Sequence, residues 1–253
     1  MNIPFGEEYL NRYAIDNPLI LNSVSDLWGV DPGVEIYGTL GKFSYCVAVQ
    51  NGGGNGVQDD NDDKSVAGRI GFDPDAHWHF SVSGMRTGNV SAQQLSAEWF
   101  GNGFFQSIGS AATTTFFVNA VELDTTARWA GGYLKVFGGY AQYGDNDPTM
   151  GNSRNIFYYS AEVVQNLPKK FYVVTRFSEV IADKGYPIVG SGSSSDYFSA
   201  LTTDLWRLSP GIGYRFSDRL VLKTEYSFEG GQQMNGESRN EENFFGTEVA
   251  FKF

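Results

Sequence analysis

Charged side chains occupy alternate positions within the apolar stretches of this 253-residue sequence. Successive side chains of a β-strand point to opposite faces, so alternate positions share one face. A face that carries both signs of charge can impose a field on polar solutes beside it, or it can stiffen its own strands through salt bridges. The charged candidates are Arg69, Glu122, Asp124, Arg128, Lys135, Glu162, Arg176, Arg207, Arg215, Lys223, Glu225 and Glu248.

Two groups of residues have the chemistry of metal ligands. His77 and His79 share a face two positions apart, but the sequence offers no third ligand for a metal ion. Residues 59–63 hold clustered aspartates after the glycine-rich residues 52–56, and clustered carboxylates suit Ca²⁺. Their spacing is not that of an EF-hand loop, so a solvated loop is the favoured interpretation. We predict no metal site.

Catalytic motifs are equally scarce. The sequence contains no Gly-x-Ser-x-Gly elbow, phosphate-binding loop or His-Glu-x-x-His helix. Ser81 or Ser83 beside the two histidines is a candidate nucleophile, yet no complete Ser/His/Asp set can be identified. We therefore predict no catalytic residue, no cofactor and no enzymatic activity.

The C-terminal residues 243–253 show most clearly which elements carry the charges. Their alternate positions form one apolar face, which ends on a terminal aromatic residue, and one face that contains Glu248. A soluble edge strand would leave that terminal aromatic exposed and the edge unprotected, whereas a strand of a closed barrel in lipid would not. The apolar positions are Phe245, Thr247, Val249, Phe251 and Phe253.

From Gly33 onward, the sequence repeats the order strand, tight turn, strand, longer polar loop. Short turns on one side and long loops on the other are typical of transmembrane barrels. The predicted turns lie near Gly41, 73–75, 131–132, 167–168 and 217–218, and the predicted loops are residues 51–64, 86–115, 144–155, 182–202 and 230–242.

The apolar faces of the predicted strands carry no charge, as in the run Phe43, Tyr45, Val47 and Val49. An Arg or Lys on a lipid-facing surface costs about 2–4 kcal/mol at the bilayer midplane. A soluble sandwich gives the same alternation, but strands of about ten residues exceed the usual five or six. Aromatic residues also cluster at both strand ends, as interfacial girdles do. They are Phe72, Trp78, Trp129, Phe171, Phe216 and Phe253 near the turns, and Phe117, Tyr140, Phe157, Trp206 and Phe228 near the loops.

Composition excludes several classes of protein. Aromatic residues make up 15% of the chain, and no run of 18 apolar residues exists, which excludes spanning helices but not spanning strands. The net charge of −11 argues against nucleic acid as a partner. The single cysteine, Cys46, cannot form an internal disulfide.

Eleven strands are predicted between Val34 and Phe253, and the first and last run in the same direction, toward the short turns. Because bacterial barrels are usually even-numbered and antiparallel, we expect at least twelve strands, or sixteen in an N-terminally truncated chain. Residues 1–32 are expected to be the tail of a preceding strand and a long loop able to constrict a lumen, and residues 33–253 the barrel strands. A chain that begins inside a strand would also explain why residues 1–6 show no signal peptide. Pro210, in the middle of a strand, predicts a bulge.

Short motifs along the whole chain resemble the phosphate-selective porin family, whose members are trimeric sixteen-stranded outer-membrane barrels. They correspond to roughly the C-terminal two thirds of such a porin. The resemblance implies a homotrimer and passive diffusion through a lumen narrowed by an inward loop. Phosphate selectivity is not expected, because the charged face here mixes both signs. The motifs are Ile3-Pro-Phe-Gly before a long loop, Gly33-Val-Glu-Ile-Tyr-Gly, Tyr45 to Gly52, Gly68 to Pro74, and Phe253.

These features together predict an all-β, transmembrane antiparallel β-barrel in the outer membrane of a Gram-negative bacterium. Its partners are expected to be membrane lipid and small hydrophilic solutes or ions, which diffuse through a water-filled pore lined by the charged candidates. Two alternatives remain: a non-conducting structural or adhesive barrel that acts through its loops, and a barrel enzyme. Conductance across a bilayer separates the first from a porin, and hydrolysis of lipid or peptide would reveal the second.

Overall fold

The computed structural model describes residues 13–15, 19–20, 32–51, 63–91, 113–147, 149, 151–190, 201–239 and 242–251. Nearly all of them lie in β-strands, and none of the described helices has the length and apolar character needed to cross a membrane. The strands are β1 (Gly33–Leu40), β2 (Phe43–Gln50), β3 (Ser65–Phe72), β4 (Trp78–Arg86), β5 (Val90–Ser91), β6 (Thr115–Trp129), β7 (Gly132–Asp145), β8 (Arg154–Asn166), β9 (Phe171–Tyr186), β10 (Thr202–Ser217), β11 (Leu220–Gln233), β12 (Ser238–Arg239) and β13 (Phe244–Phe251), and Pro168–Lys170 form a 3₁₀ turn.

All strands belong to one antiparallel sheet in which long strands that follow each other along the chain are neighbours. The eleven predicted strands are all present, and the sheet adds two short ones: β5 pairs with β6, and β12 pairs with β11. At the two ends of the sheet, β1 pairs with β2 and β13 with β11. Among the described residues the sheet is not closed. The predicted all-β antiparallel architecture is confirmed.

The predicted asymmetry between short turns and long loops is also confirmed. The five tight connections lie at one end of the sheet, here called the turn end, and the longer connections at the other, the loop end. Gly41 and Gly131 have φ angles of +61° and +80°. Glycine adopts such positive φ angles without a steric cost, and Gly41 supplies one at the first central position of its two-residue turn, as the favoured type II′ hairpin turn requires.

The strands reach further toward the loop end than the sequence predicts. Residues 182–186 continue β9, and residues 230–233 continue β11, although both stretches were predicted to be loop. Their polar and glycine residues resemble a loop in composition, but the ladder of backbone pairs continues through them, as in the pair Leu205 and Gly231. Strand pairing therefore overrides local propensity here.

The bulge predicted at Pro210 is absent. Pro210 pairs with Thr175 of β9, and the register between β10 and β11 is the same before and after it. The ladder with β11 omits Ser209 and Pro210, because proline has no N–H to donate. The hydroxyls of Ser209 and Ser227 lie 2.6 Å apart beside this gap and supply a side-chain bond across it.

The two faces of the sheet differ in an unusual way. The face predicted to be apolar, here called the outer face, is exposed: Ile36, Leu123 and Val249 are 66%, 64% and 60% accessible. The opposite, inner face holds most of the buried residues in the described part of the chain, including the charged Lys223 and Glu225 at 1% and 2%. The core of this molecule therefore lies against the face that carries the charges.

Part of the inner face is apolar, which the sequence reading did not predict. Toward the loop end, inward residues of β6 to β10 and Ile188, which follows β9, form a buried cluster with Leu19 and Ile20. A smaller cluster surrounds Ala14 nearer the turn end. The first cluster contains Phe116, Val118, Phe137, Ala141, Tyr143, Ile156, Tyr158, Val180, Ala182, Tyr186, Ile188 and Leu205.

Candidate functional site

The inner-face charges on β3, β4 and β6 form one network near the turn end. The Arg69 guanidinium lies 3.2 Å from both carboxylate oxygens of Asp124. The Ser81 hydroxyl donates to the same carboxylate. His79 places Nδ1 2.8 Å from Asp73 and Nε2 3.2 Å from Arg69. The pairing follows from register, because residues opposite one another on adjacent strands share a face.

A row of charges crosses β7, β8 and β9. Lys135 is opposite Glu162, and Glu162 is opposite Arg176. Arg176 and Glu162 form a salt bridge in which the side chains are 6% and 3% exposed. The Tyr133 hydroxyl also donates to Glu162, over 2.6 Å. The carboxylate is thus held by a buried cation and a half-buried hydroxyl, and a carboxylate away from water needs such partners.

Two further pairs lie on β10, β11 and β13. Arg207 forms a buried salt bridge with Glu229, and Lys223 Nζ lies 2.7 Å from Glu248 Oε1. Glu229 was not among the predicted candidates. It occupies the next inward position after Ser227 on β11, but the predicted strand face ended at Phe228, immediately before the predicted loop of residues 230–242.

Accessibility divides the predicted candidates into two groups. Glu122, Asp124, Glu162, Arg176, Arg207, Lys223 and Glu225 are buried. The accessible group is mostly basic and consists of Arg69, Arg128, Lys135, Arg215 and Glu248. Among the buried residues, Glu122 accepts a hydrogen bond from the Tyr158 hydroxyl over 3.0 Å. Glu35 on β1 is a further accessible acid on this face.

The described residues of the N-terminal region lie against the inner face. The Ile15 amide donates to Glu225 over 2.9 Å, and the Leu19 amide donates to the Ser178 hydroxyl over 3.2 Å. The Tyr13 carbonyl accepts a hydrogen bond from the Tyr172 hydroxyl over 3.1 Å. These contacts, together with the burial of Leu19, cover the charges beneath them. Residues 13–15 and 19–20 are here called the inward segment.

The Tyr13 side chain also makes ring contacts with the wall. Its ring packs edge-on against Tyr133 and Tyr172, with centroids 5.7 and 4.8 Å away. The Arg215 guanidinium lies 4.8 Å from the centroid of Tyr13 and 5.4 Å from that of Tyr172. A cation over an aromatic face at such distances is attracted by the ring quadrupole.

The sequence predicted a loop within residues 1–32 that could constrict a lumen, but it did not predict which part of the inner wall such a segment would contact. A signal exists in β8, where Ile156, Phe157, Tyr158 and Tyr159 are consecutive large side chains. A strand with apolar residues on both faces is expected to be covered on both sides. The sequence analysis treated β8 as an alternating strand like the others, so the apolar residues on its inner face were not considered.

The remaining candidates do not form a metal or catalytic centre in the described part of the chain. His77 Nδ1 lies 3.0 Å from the Arg128 carbonyl, whereas His79 contacts Asp73 and Arg69. Among the described residues no group of three His, Cys, Asp or Glu side chains is placed to hold a metal ion. Ser81 bonds to a carboxylate and not to a histidine. Of residues 59–63 only Asp63 is described, and it accepts hydrogen bonds from Asn89.

The longer strands place two acids on the outer face that the predicted faces did not include. Glu179 of β9 and Asp204 of β10 lie near the loop end, beyond the apolar positions Phe177 and Leu208. The Tyr159 hydroxyl donates to Glu179. Both acids lie near the loop ends of their strands. Charged side chains on the lipid-facing surface of a barrel cost little near the membrane interface.

No protein-family model matches the chain, and no curated protein matches it in sequence. Several solved structures are similar. The outer-membrane channel DcaP of Acinetobacter baumannii has a TM-score of 0.60 and 13% identity, covering 98% of this chain and 69% of that one. OmpT of Vibrio cholerae in a trimer form has a TM-score of 0.59 and 11% identity, covering 94% and 72%. The anion-selective porin from Comamonas acidovorans has a TM-score of 0.56 and 10% identity, covering 85% and 57%.

The fold is that of the outer-membrane β-barrels. The likeness lies in the strand architecture: one antiparallel sheet with sequential neighbours, short turns at one end and long connections at the other. The chain spans between 57% and 72% of the lengths of these three proteins.

Proposed function

We propose that this chain forms the wall of a porin in the outer membrane of a Gram-negative bacterium, a water-filled channel through which small hydrophilic solutes or ions diffuse passively. The observation that carries the proposal is the inverted distribution of polarity. Large apolar residues of the outer face, such as Leu123, are exposed, while charged residues of the inner face, such as Lys223, are buried. Soluble proteins bury apolar side chains and expose charged ones. The outer face is therefore suited to contact with the hydrocarbon of a lipid bilayer and not with water.

Strand length supports the same environment. β6 has 15 residues, which corresponds to about 50 Å along the strand. At a tilt of about 40° this length spans about 38 Å, enough to cross a hydrocarbon core of about 30 Å. Aromatic pairs on the outer face lie at both ends, with Phe43 and Phe72 at the turn end and Tyr140 and Phe157 toward the loop end. Girdles of aromatic residues flank the apolar band of transmembrane barrels at both interfaces.

In this proposal the inward segment narrows the lumen. It is fixed to the wall by the bonds of Ile15 and Leu19 and by the apolar cluster around Ile20. The buried charges beneath it hold the wall together, and the accessible ones face the water of the pore. Because the accessible group is mostly basic, with Arg69, Arg128, Lys135 and Arg215 as its cations, we infer a channel that favours anions.

A homotrimer is proposed on the likeness to OmpT of V. cholerae, which has a trimer form. The test of the function is conductance of the purified chain in a planar lipid bilayer. We expect discrete current steps. In a KCl gradient, the sign of the reversal potential should show that Cl⁻ is more permeant than K⁺. Protein that inserts but carries no current would show a non-conducting barrel. Protein that is monodisperse in buffer without detergent would remove the membrane proposal altogether.

A further inference from the structure

A cavity of about 310 Å³ opens at the turn end, between the inward segment and the turns that follow β8 and β10. Its volume lies at the lower end of the range of about 300–1,000 Å³ that is typical of small-molecule sites. Its lining combines cations, one carboxylate and an apolar side. The residues used below are Tyr13, Asn166, Leu167, Lys170, Arg215 and Asp218.

The two cations are held in place by the fold. The Arg215 guanidinium lies over the rings of Tyr13 and Tyr172, which fixes its plane beside the cavity. Lys170 Nζ donates to the Phe216 carbonyl over 3.0 Å, across the turn end from β9 to β10. Lys170 also has a φ of +69°. This angle lies in the left-handed region, which residues other than glycine rarely adopt. Such unfavourable conformations concentrate at functional sites.

We propose that this cavity binds a small monocarboxylate with an apolar or aromatic body. The carboxylate contacts Arg215, whose planar guanidinium can donate two parallel hydrogen bonds, and lies within the field of Lys170. The body of the ligand packs against Tyr13 and Leu167. The proposal rests on the proposed function, in which the cavity is a binding position at the turn-end mouth of the channel.

The charge of the lining favours a single negative charge on the ligand. Arg215 and Lys170 contribute two positive charges and Asp218 one negative charge, so the cavity has one net positive charge. A doubly charged anion such as hydrogen phosphate would meet the Asp218 carboxylate with its second charge. It would also leave the apolar side of the cavity, formed by Tyr13 and Leu167, without a partner.

The test uses the full chain refolded in detergent micelles, with benzoate as the probe and calorimetry as the readout. We expect benzoate to bind in the millimolar range and benzamide, which has the same shape without the charge, at least tenfold more weakly. Inorganic phosphate should also bind at least tenfold more weakly. Equal binding of benzoate and benzamide would overturn the proposal, because recognition of the carboxylate is its central claim.

Variants locate the site. Arg215→Gln should weaken benzoate binding at least tenfold and Lys170→Gln about threefold, whereas Asp218→Asn should strengthen it about threefold. Lys135→Gln is the matched control, because Lys135 is also an inner-face cation over a tyrosine ring, at 5.3 Å from Tyr133, but lies outside the cavity. A loss in the control equal to that in Arg215→Gln would refute the assignment. If Arg215→Gln does not fold, the rise with Asp218→Asn decides alone.

Failure of this proposal and failure of the channel are separable. Conductance in a bilayer without benzoate binding in micelles rejects the cavity and leaves the porin in place. Benzoate binding that follows the variant pattern, in a protein that carries no current, supports the cavity and rejects the channel.

Discussion

Replacing Glu162 with glutamine tests whether the charges of the inner face are structural. The substitution keeps the shape and an oxygen that can accept the Tyr133 hydroxyl, but it removes the charge opposite Arg176. At an effective dielectric constant of about 20, two unit charges about 4 Å apart attract each other by about 4 kcal/mol. Removing one partner of a buried pair costs about 3–5 kcal/mol, because the remaining buried charge loses the attraction of its partner. We expect that loss for Glu162→Gln.

The companion variants should differ from Glu162→Gln in how much unfolding free energy they lose. Arg176→Met should lose less, about 2–3 kcal/mol, because Glu162 keeps Lys135 opposite it on β7 and the Tyr133 hydroxyl. The double variant should return to within about 1 kcal/mol of the parent, since it removes both charges of the pair together. Asp73→Asn is the control: Asp73 pairs with His79, but its side chain is 52% exposed, so its loss should be below about 1 kcal/mol.

The assay is urea unfolding of protein refolded into phosphocholine liposomes, followed by tryptophan fluorescence. Coincident midpoints for Glu162→Gln and Asp73→Asn would refute the reasoning, because they would mean that water reaches both carboxylates equally. A double variant as unstable as the single one would also contradict it, since the loss would then come from packing and not from an isolated charge.

Three other outcomes follow from the two faces and the inward segment. Leu123→Lys on the exposed outer face should cost about 2–4 kcal/mol in liposome unfolding, and Leu123→Ala less; a soluble protein would tolerate lysine at so exposed a position. Arg128→Gln and Lys135→Gln should each lower the ratio of Cl⁻ to K⁺ permeability in a bilayer. The double variant Glu162→Gln/Arg176→Met, which changes a buried pair, should leave that ratio unchanged. Equal shifts in the ratio would show that buried and accessible charges do not differ in their effect on selectivity. Leu19→Asp should increase single-channel conductance, because a carboxylate in the apolar cluster would release the inward segment. Leu19→Met is the control and should leave the conductance unchanged. An unchanged conductance in folded Leu19→Asp would contradict the proposal that the inward segment narrows the lumen.

Much of the fold follows from local patterns in the sequence. The alternation in residues such as Phe43, Tyr45, Val47 and Val49 specifies a strand and its two faces, since a slip of one residue would exchange those faces. Glycine and proline specify the tight turns, as at Gly41, because only a few residues adopt the required backbone angles. The eleven strands and the two kinds of connection are therefore readable without coordinates.

The site depends on contacts that the sequence does not contain. Alternation placed Glu162 and Lys135 on the same face but did not distinguish a buried charge from one exposed to water. That distinction depends on the inward segment, whose Ile15 and Leu19 bond to residues far along the chain. The turn-end cavity likewise requires Tyr13 to meet residues of two distant turns.

The sequence by itself determined the strands, the order of turns and loops, and which side chains share a face, because these depend on residues a few positions apart. Only the tertiary structure decided which charges of the inner face are buried, which remain accessible and where a cavity forms. Those properties depend on what packs against the face, and the packing residues are separated from it by most of the chain.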